Sequence, residues 1–183
     1  MNGAEEKQRN VDNGLVLLYT GDGKGKSSAA FGQALRAAGH GMKVCIIQFI
    51  KGKWQTGEAQ SFARLSDRVE FHVKGGGFTW LSEDKSAAIR FARDAFDFAG
   101  EKIMSNRFDM VVLDELTYLI TYGMVEEKDV LDLIRHRPPV LHLVITGRGA
   151  SESLIDAADL VSEIRMVKHH YEKGIPARRG IEF

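Results

Sequence analysis

Apolar residues in this chain gather into two kinds of run, and their alternation predicts its elements. Leu15-Val16-Leu17-Leu18-Tyr19 is short and continuous, as a strand buried on both faces should be. Val44-Cys45-Ile46-Ile47-Gln48-Phe49, Val69–Val73, Met110-Val111-Val112-Leu113 and Val140–Ile145 read the same way. Between them the period changes to three and four. Ser27–Ala38 is Ala-rich with Phe31 and Leu35 four apart, and Gly39 and Gly41 end it. A longer helix follows Ser82, a capping residue, with Glu83 and Asp84 at its positive end and Ala88, Ala92, Ala95, Ala99 and Ile103 on one stripe. A further helix spans about Glu126 to Arg135. Strands alternating with helices predict an α/β fold with a mainly parallel sheet, whose ligands bind beyond the carboxyl ends of the strands.

Composition narrows this picture without changing it. The 183 residues are 44% hydrophobic and 27% charged, which excludes disordered and fibrous classes. There is neither repeat nor low-complexity tract, so residues 14–183 read as one domain preceded by a polar, flexible arm at 1–13. Lys and Arg number 25, as do Asp and Glu, so the balanced charge gives no reason to propose nucleic acid or an anionic membrane as partner. The lone Cys45 cannot form an internal disulfide, which fits a reducing cytoplasm. No apolar run reaches the roughly 18 residues of a membrane span.

Candidate chemistry begins directly after the first strand, at Thr20-Gly21-Asp22-Gly23-Lys24-Gly25-Lys26-Ser27-Ser28. Its glycines let successive backbone N–H groups turn toward an anion, and the following helix adds about half a positive charge. Lys26 supplies a full charge and Ser27 a hydroxyl for a magnesium ion. The usual phosphate loop has four residues between its first glycine and the final Gly-Lys; here there are three, with Thr20 standing where the pattern has glycine. Asp114 and Glu115 end a buried strand, where a nucleotide-bound magnesium finds its second anchor. The alternatives are a purely structural glycine turn and a solvated strand end. Together these residues predict a magnesium–triphosphate site, and they do not say what becomes of the triphosphate.

The chain resembles one family, the phosphate-loop type of ATP:corrinoid adenosyltransferase. The resemblance rests on residues 20–32, Gln48-Phe49-Ile50-Lys51-Gly52, Gly77-Phe78-Thr79-Trp80, Val111–Tyr118, Ile145–Gly149 and Val167-Lys168-His169, in that order. It implies a three-layer, RecA-like fold and transfer of the 5′-deoxyadenosyl group of ATP to Co(I) of a reduced corrinoid, with triphosphate leaving whole. It further implies that ATP lies reversed in the loop, with its γ-phosphate where other phosphate-loop proteins hold the α-phosphate. On this resemblance Thr20 to Ser28 hold the triphosphate, with Lys24 and Lys26 stabilising it as it leaves. Ser27 and Glu115 would then hold Mg2+ (or Mn2+), with Asp114 close by. Members of the family commonly carry Thr at the position of Ser27 and Asn at that of Asp22. Arg148 is expected at phosphate or ribose, with a surface ion pair as the competing reading. Lys51, Trp54, Gln55 and Glu58 are placed along the nucleotide or corrinoid pocket. Phe78 and Trp80 are placed on the corrinoid's lower face, where they exclude its axial ligand; the competing reading makes them core anchors. A homodimer, a flavin-type reductant protein and a cytoplasmic location are also implied. His169 and His170 are assigned no metal. A kinase or ATPase, and a non-catalytic nucleotide-binding regulator, are the other classes that the loop permits.

Overall fold

The aliphatic runs become strands because side chains buried on both faces suit a parallel sheet. The computed structural model describes residues 13–50, 52, 56–75 and 85–182, the side chain of Lys85 excepted. β1 is Val16–Thr20, β2 Val44–Gln48, β3 Val69–Val73, β4 Met110–Asp114 and β5 His142–Thr146. With β6, Leu160–Glu163, they form one sheet in the order β3-β2-β4-β5-β1-β6, every neighbouring pair parallel. The helices are α1 Lys26–Gly39, α2 Gly57–Ala63, α3 Lys85–Met104, α4 Thr117–Thr121, α5 Glu127–His136 and α6 Glu152–Asp156. A 3₁₀ turn follows at His170–Lys173.

Alternation along each strand divides the core into two layers, one on either side of the sheet. Val16, Leu18, Cys45, Ile47, Val111, Leu113, Leu143 and Ile145 face α3, which packs with the predicted stripe of Ala88, Ala92, Ala95, Ala99 and Ile103. Leu17, Val44, Ile46, Met110, Val112 and Val144 face α1 through Ala30, Phe31, Ala34 and Ala37. Phe31, Phe62 and Phe71 close that second layer as a cluster of aromatic rings, with centroids 5.8 to 6.0 Å apart. The result is the expected three-layer α/β arrangement. Among the described residues no helix is long and apolar enough to cross a membrane.

The structure departs from the sequence reading at its short elements. β5 starts at His142 rather than Val140, because the Leu141 N–H closes a turn onto the Pro138 carbonyl and leaves Val140 exposed. α2 has no signal in the sequence; Thr56 caps it, its hydroxyl accepting the Ala59 N–H. α4, α6 and the four-residue edge strand β6 also lack a periodic signal long enough to read. The cap predicted at Ser82, with Glu83 and Asp84, lies outside the described residues, as do the arm before Asn13, Lys51, Trp54, Gln55, Phe78 and Trp80.

Candidate functional site

The loop after β1 is built by close approach to the chain beyond β6. A Cβ at Gly21 would stand 2.5 Å from the Ile164 carbonyl oxygen and one at Gly23 would stand 2.7 Å from it. Gly21 and Gly25 also adopt φ of 94° and 122°, which side chains disfavour. The Gly23 N–H donates to the Ile164 carbonyl at 2.7 Å, and the Ile164 N–H to the Thr20 carbonyl at 2.8 Å. That corrects one expectation: the Gly23 N–H is spent on holding the loop's shape and does not point at an anion.

α1 leaves this loop with its first turn open. Gly25 offers no side-chain cap and the first turn holds no acid, so the positive helix end, Ser27 and Ser28 face a cavity of about 290 Å³. Glu58, Glu115, Tyr118 and Arg148 line the same cavity. It lies beyond the carboxyl ends of β1 and β4, as a parallel sheet dictates. A larger cavity, about 550 Å³, sits at the opposite end of the strands against Gly14, Arg137 and His142 and has no phosphate loop.

Lys26 curls over its own loop, donating to the Gly21 and Gly23 carbonyls at 2.6 and 2.7 Å. Burial lowers its pKa, with repulsion from Arg148 adding to the effect and Asp22, Glu115 and Asp114 opposing it. Thr20 is buried at the end of β1 and Asp22 is exposed; neither lines the cavity. Lys24 lines it but points its ammonium at Glu182, 2.7 Å away. That bond, above all, holds the Glu182 carboxyl below the usual carboxylate range.

The two carboxylates at the end of β4, Asp114 and Glu115, part company. Asp114 is fully buried; one oxygen accepts from Gln48 Nε2 at 2.9 Å and the other from the Thr146 hydroxyl at 2.8 Å. It does not line the cavity, which corrects its expected place beside a metal. Glu115 takes φ of 65° and does line it. The oxygen donors that meet there, the Ser27 hydroxyl and the Glu115 carboxylate, are the hard ligands that Mg2+ or Mn2+ takes alongside phosphate and water, so the donor set fits. Arg148 is exposed at the cavity rim and has no ion pair among the described residues. Its backbone carbonyl accepts from the Thr117 hydroxyl at 2.7 Å.

Four lining residues carried no sequence signal of their own as site residues. Tyr118 and His169 stand in segments that carried the resemblance, but neither was assigned a place in the pocket. Burial raises the Tyr118 pKa, so its hydroxyl keeps its proton to a higher pH than an exposed tyrosine does. Ile181 and Glu182 arrive from the far end of the chain. His169, His170 and Glu182 each bring a ligand atom within 4.8 Å of the others, but Glu182 already pairs with Lys24.

The family model described as ATP:corrinoid adenosyltransferase BtuR/CobO/CobP matches residues 12–183. The corrinoid adenosyltransferase of Pseudomonas aeruginosa is 45% identical over 176 residues, covering 96% of this chain and 87% of that protein. The corrinoid adenosyltransferase CobA of Salmonella typhimurium is 39% identical over 180 residues, covering 98% and 91%. Among solved structures, the flagellar accessory protein FlaH from Methanocaldococcus jannaschii superposes with a TM-score of 0.55 over 82% of this chain and 71% of that one. At 14% identity, that likeness speaks for the fold alone.

Proposed function

The chain belongs to the ATP:corrinoid adenosyltransferases, and on that premise we propose how its own residues serve ATP-dependent adenosyl transfer to a corrinoid. The observation that carries the proposal is the convergence of Lys26, Ser27, Glu115 and Arg148, with the open end of α1, on one cavity. Cations and backbone dipoles aimed at a polyphosphate stabilise the charge that grows there as it leaves.

In the transfer, the cobalt lone pair of a Co(I) corrinoid attacks C5′ of ATP. The C5′–O bond breaks, and its electron pair departs with the triphosphate. Lys26 exchanges its two loop carbonyls for phosphate oxygens, and Arg148 swings from the rim onto the same group. The Ser27 hydroxyl and the Glu115 carboxylate would hold Mg2+ or Mn2+, which adds positive charge beside the polyphosphate. A reversed ATP fits this assignment, since the whole triphosphate is then the part held while C5′ faces outward. Glu58, half-buried at the start of α2, borders the same space. Roles for Phe78 and Trp80 below the corrinoid, and for Lys51 beside the nucleotide, rest on the resemblance. So do the homodimer, the flavin-type reductant that would supply Co(I), and a cytoplasmic location.

The deciding experiment is the identity of the phosphorus product. Chemically reduced cobalamin, ATP and Mg2+ are incubated with the protein and followed by phosphorus NMR, with light-sensitivity of the product as a check for the cobalt–carbon bond. Triphosphate should form one-for-one with the alkylated corrinoid. Stoichiometric ADP instead would assign the site to phosphoryl transfer.

A further inference from the structure

Glu115 owes its aim to a residue on the next strand, 31 positions away in sequence. β4 and β5 are neighbours with Leu113 opposite Ile145, so the next step of the register sets Asp114 beside Thr146. Both are fully buried. The Thr146 hydroxyl spends its single proton on Asp114, at 2.8 Å, and accepts the Glu115 N–H, also at 2.8 Å. Asp114 is steadied from its other side by Gln48. Immediately beyond this relay, Glu115 turns into the left-handed region at φ 65°, a conformation that a glutamate holds only when its surroundings impose it. A buried polar chain whose members satisfy one another holds its groups in one geometry, and an unpaired member would be costly.

We infer that Thr146 is a positioning residue for the metal–triphosphate site, acting through Glu115: its hydroxyl relays the fixed carboxylate of Asp114 to the Glu115 amide and so fixes the carboxylate that faces the cavity. The inference rests on the proposed role of Glu115 as a metal ligand. The second link between the same two loops, from the Thr117 hydroxyl to the Arg148 carbonyl, holds the loop after β5 in step. Gly147 between them has no room for a side chain, since a Cβ there would fall 1.9 Å from the Thr117 hydroxyl oxygen.

The test measures ATP affinity by calorimetry in Mg2+ and again in EDTA, with thermal melting alongside. Four variants are compared with the parent chain: Thr146→Val, which keeps the shape and loses the hydroxyl, Thr146→Ser, which keeps the hydroxyl, Glu115→Gln, and the Thr146→Val/Glu115→Gln pair. Thr146→Val should lose about 10- to 100-fold of the affinity that Mg2+ adds, as other residues orienting a metal ligand do, and should leave the EDTA value alone. Thr146→Ser should restore it. In the double variant the Thr146 change should cost nothing beyond Glu115→Gln, because both act through one carboxylate. Should Thr146→Val not fold, Thr146→Ala, which also removes the hydroxyl, carries the same comparison. A lower melting temperature with the Mg2+ gain intact would overturn the inference, as would effects of the two single variants that multiply. If Glu115→Gln itself keeps the full Mg2+ gain, the reading of Glu115 as a ligand fails and the inference falls with it.

Discussion

Lys26 makes two bonds to its own loop, at 2.6 and 2.7 Å, where its ammonium is partly stripped of water. A charge kept so close to backbone carbonyls is ready to be transferred to a better acceptor, and phosphate oxygens are better acceptors. Lys26→Ala should therefore weaken Mg–ATP binding by about 1.5–3 kcal/mol, the worth of a hydrogen bond to a charged group. Lys26→Arg should rescue little, because a planar guanidinium cannot occupy the same point between two carbonyls. Calorimetric titration of folded variants checks both, and unchanged affinity in Lys26→Ala would remove the loop from the site. At this scale the sequence points to residues that the fold brings to one cavity: Gly25-Lys26-Ser27 after a buried strand, and Glu115 at the end of another. It misled at Asp114, whose type suits a ligand but whose last-in-strand position turns it inward onto Gln48 and Thr146. It was silent on Thr146 and Glu182, which matter through partners distant in sequence.

Elements were legible in proportion to their length and burial. The five apolar strands, α1, α3 and α5 carry enough periodic residues to declare themselves, whereas α4 and α6 have five residues each and β6 has four. Such pieces take their form from what they cross. β3 is the outer strand on the other side, and its attachment to the rest is partly ionic. Glu70 on β3 accepts from Lys102 of α3 at 2.6 Å and from Arg107 at 2.7 Å. The Lys102 bond, before any other cause, holds the Glu70 carboxyl below its ordinary value. A carboxyl depressed in the folded state favours folding fully above its unfolded pKa of about 4.3, and that benefit is lost as pH falls through the folded value. Glu70→Gln should accordingly be less stable than the parent chain at pH 7, and the gap should close as the solution is acidified past the normal glutamate range. Urea unfolding of both proteins at pH 7 and at pH 3 measures it. A gap that stays constant would mean that the Glu70 pair adds nothing through its charge.

Seen whole, the molecule places the strand carrying the phosphate loop between the two strands made last. β1 pairs with β5 along Val16–Tyr19 and with β6 along Leu17–Thr20, and the loop it feeds leans on Ile164. Contacts this far apart in sequence are slow to form, since a long loop must close before they repay it. In refolding from urea, recovery of ATP binding should therefore follow the slowest phase seen by tryptophan-independent probes such as far-ultraviolet dichroism; ATP binding that returns ahead of that phase would contradict this order. During synthesis the same geometry has a sharper outcome. While the ribosome is still adding residues 110–160, Leu17 and Leu18 have lain outside the tunnel without their neighbouring strands, and no nascent chain short of Glu163 holds the complete nucleotide cradle. Nucleotide capture thus reports that translation has passed β6, since until then β1 lacks the neighbour on that side.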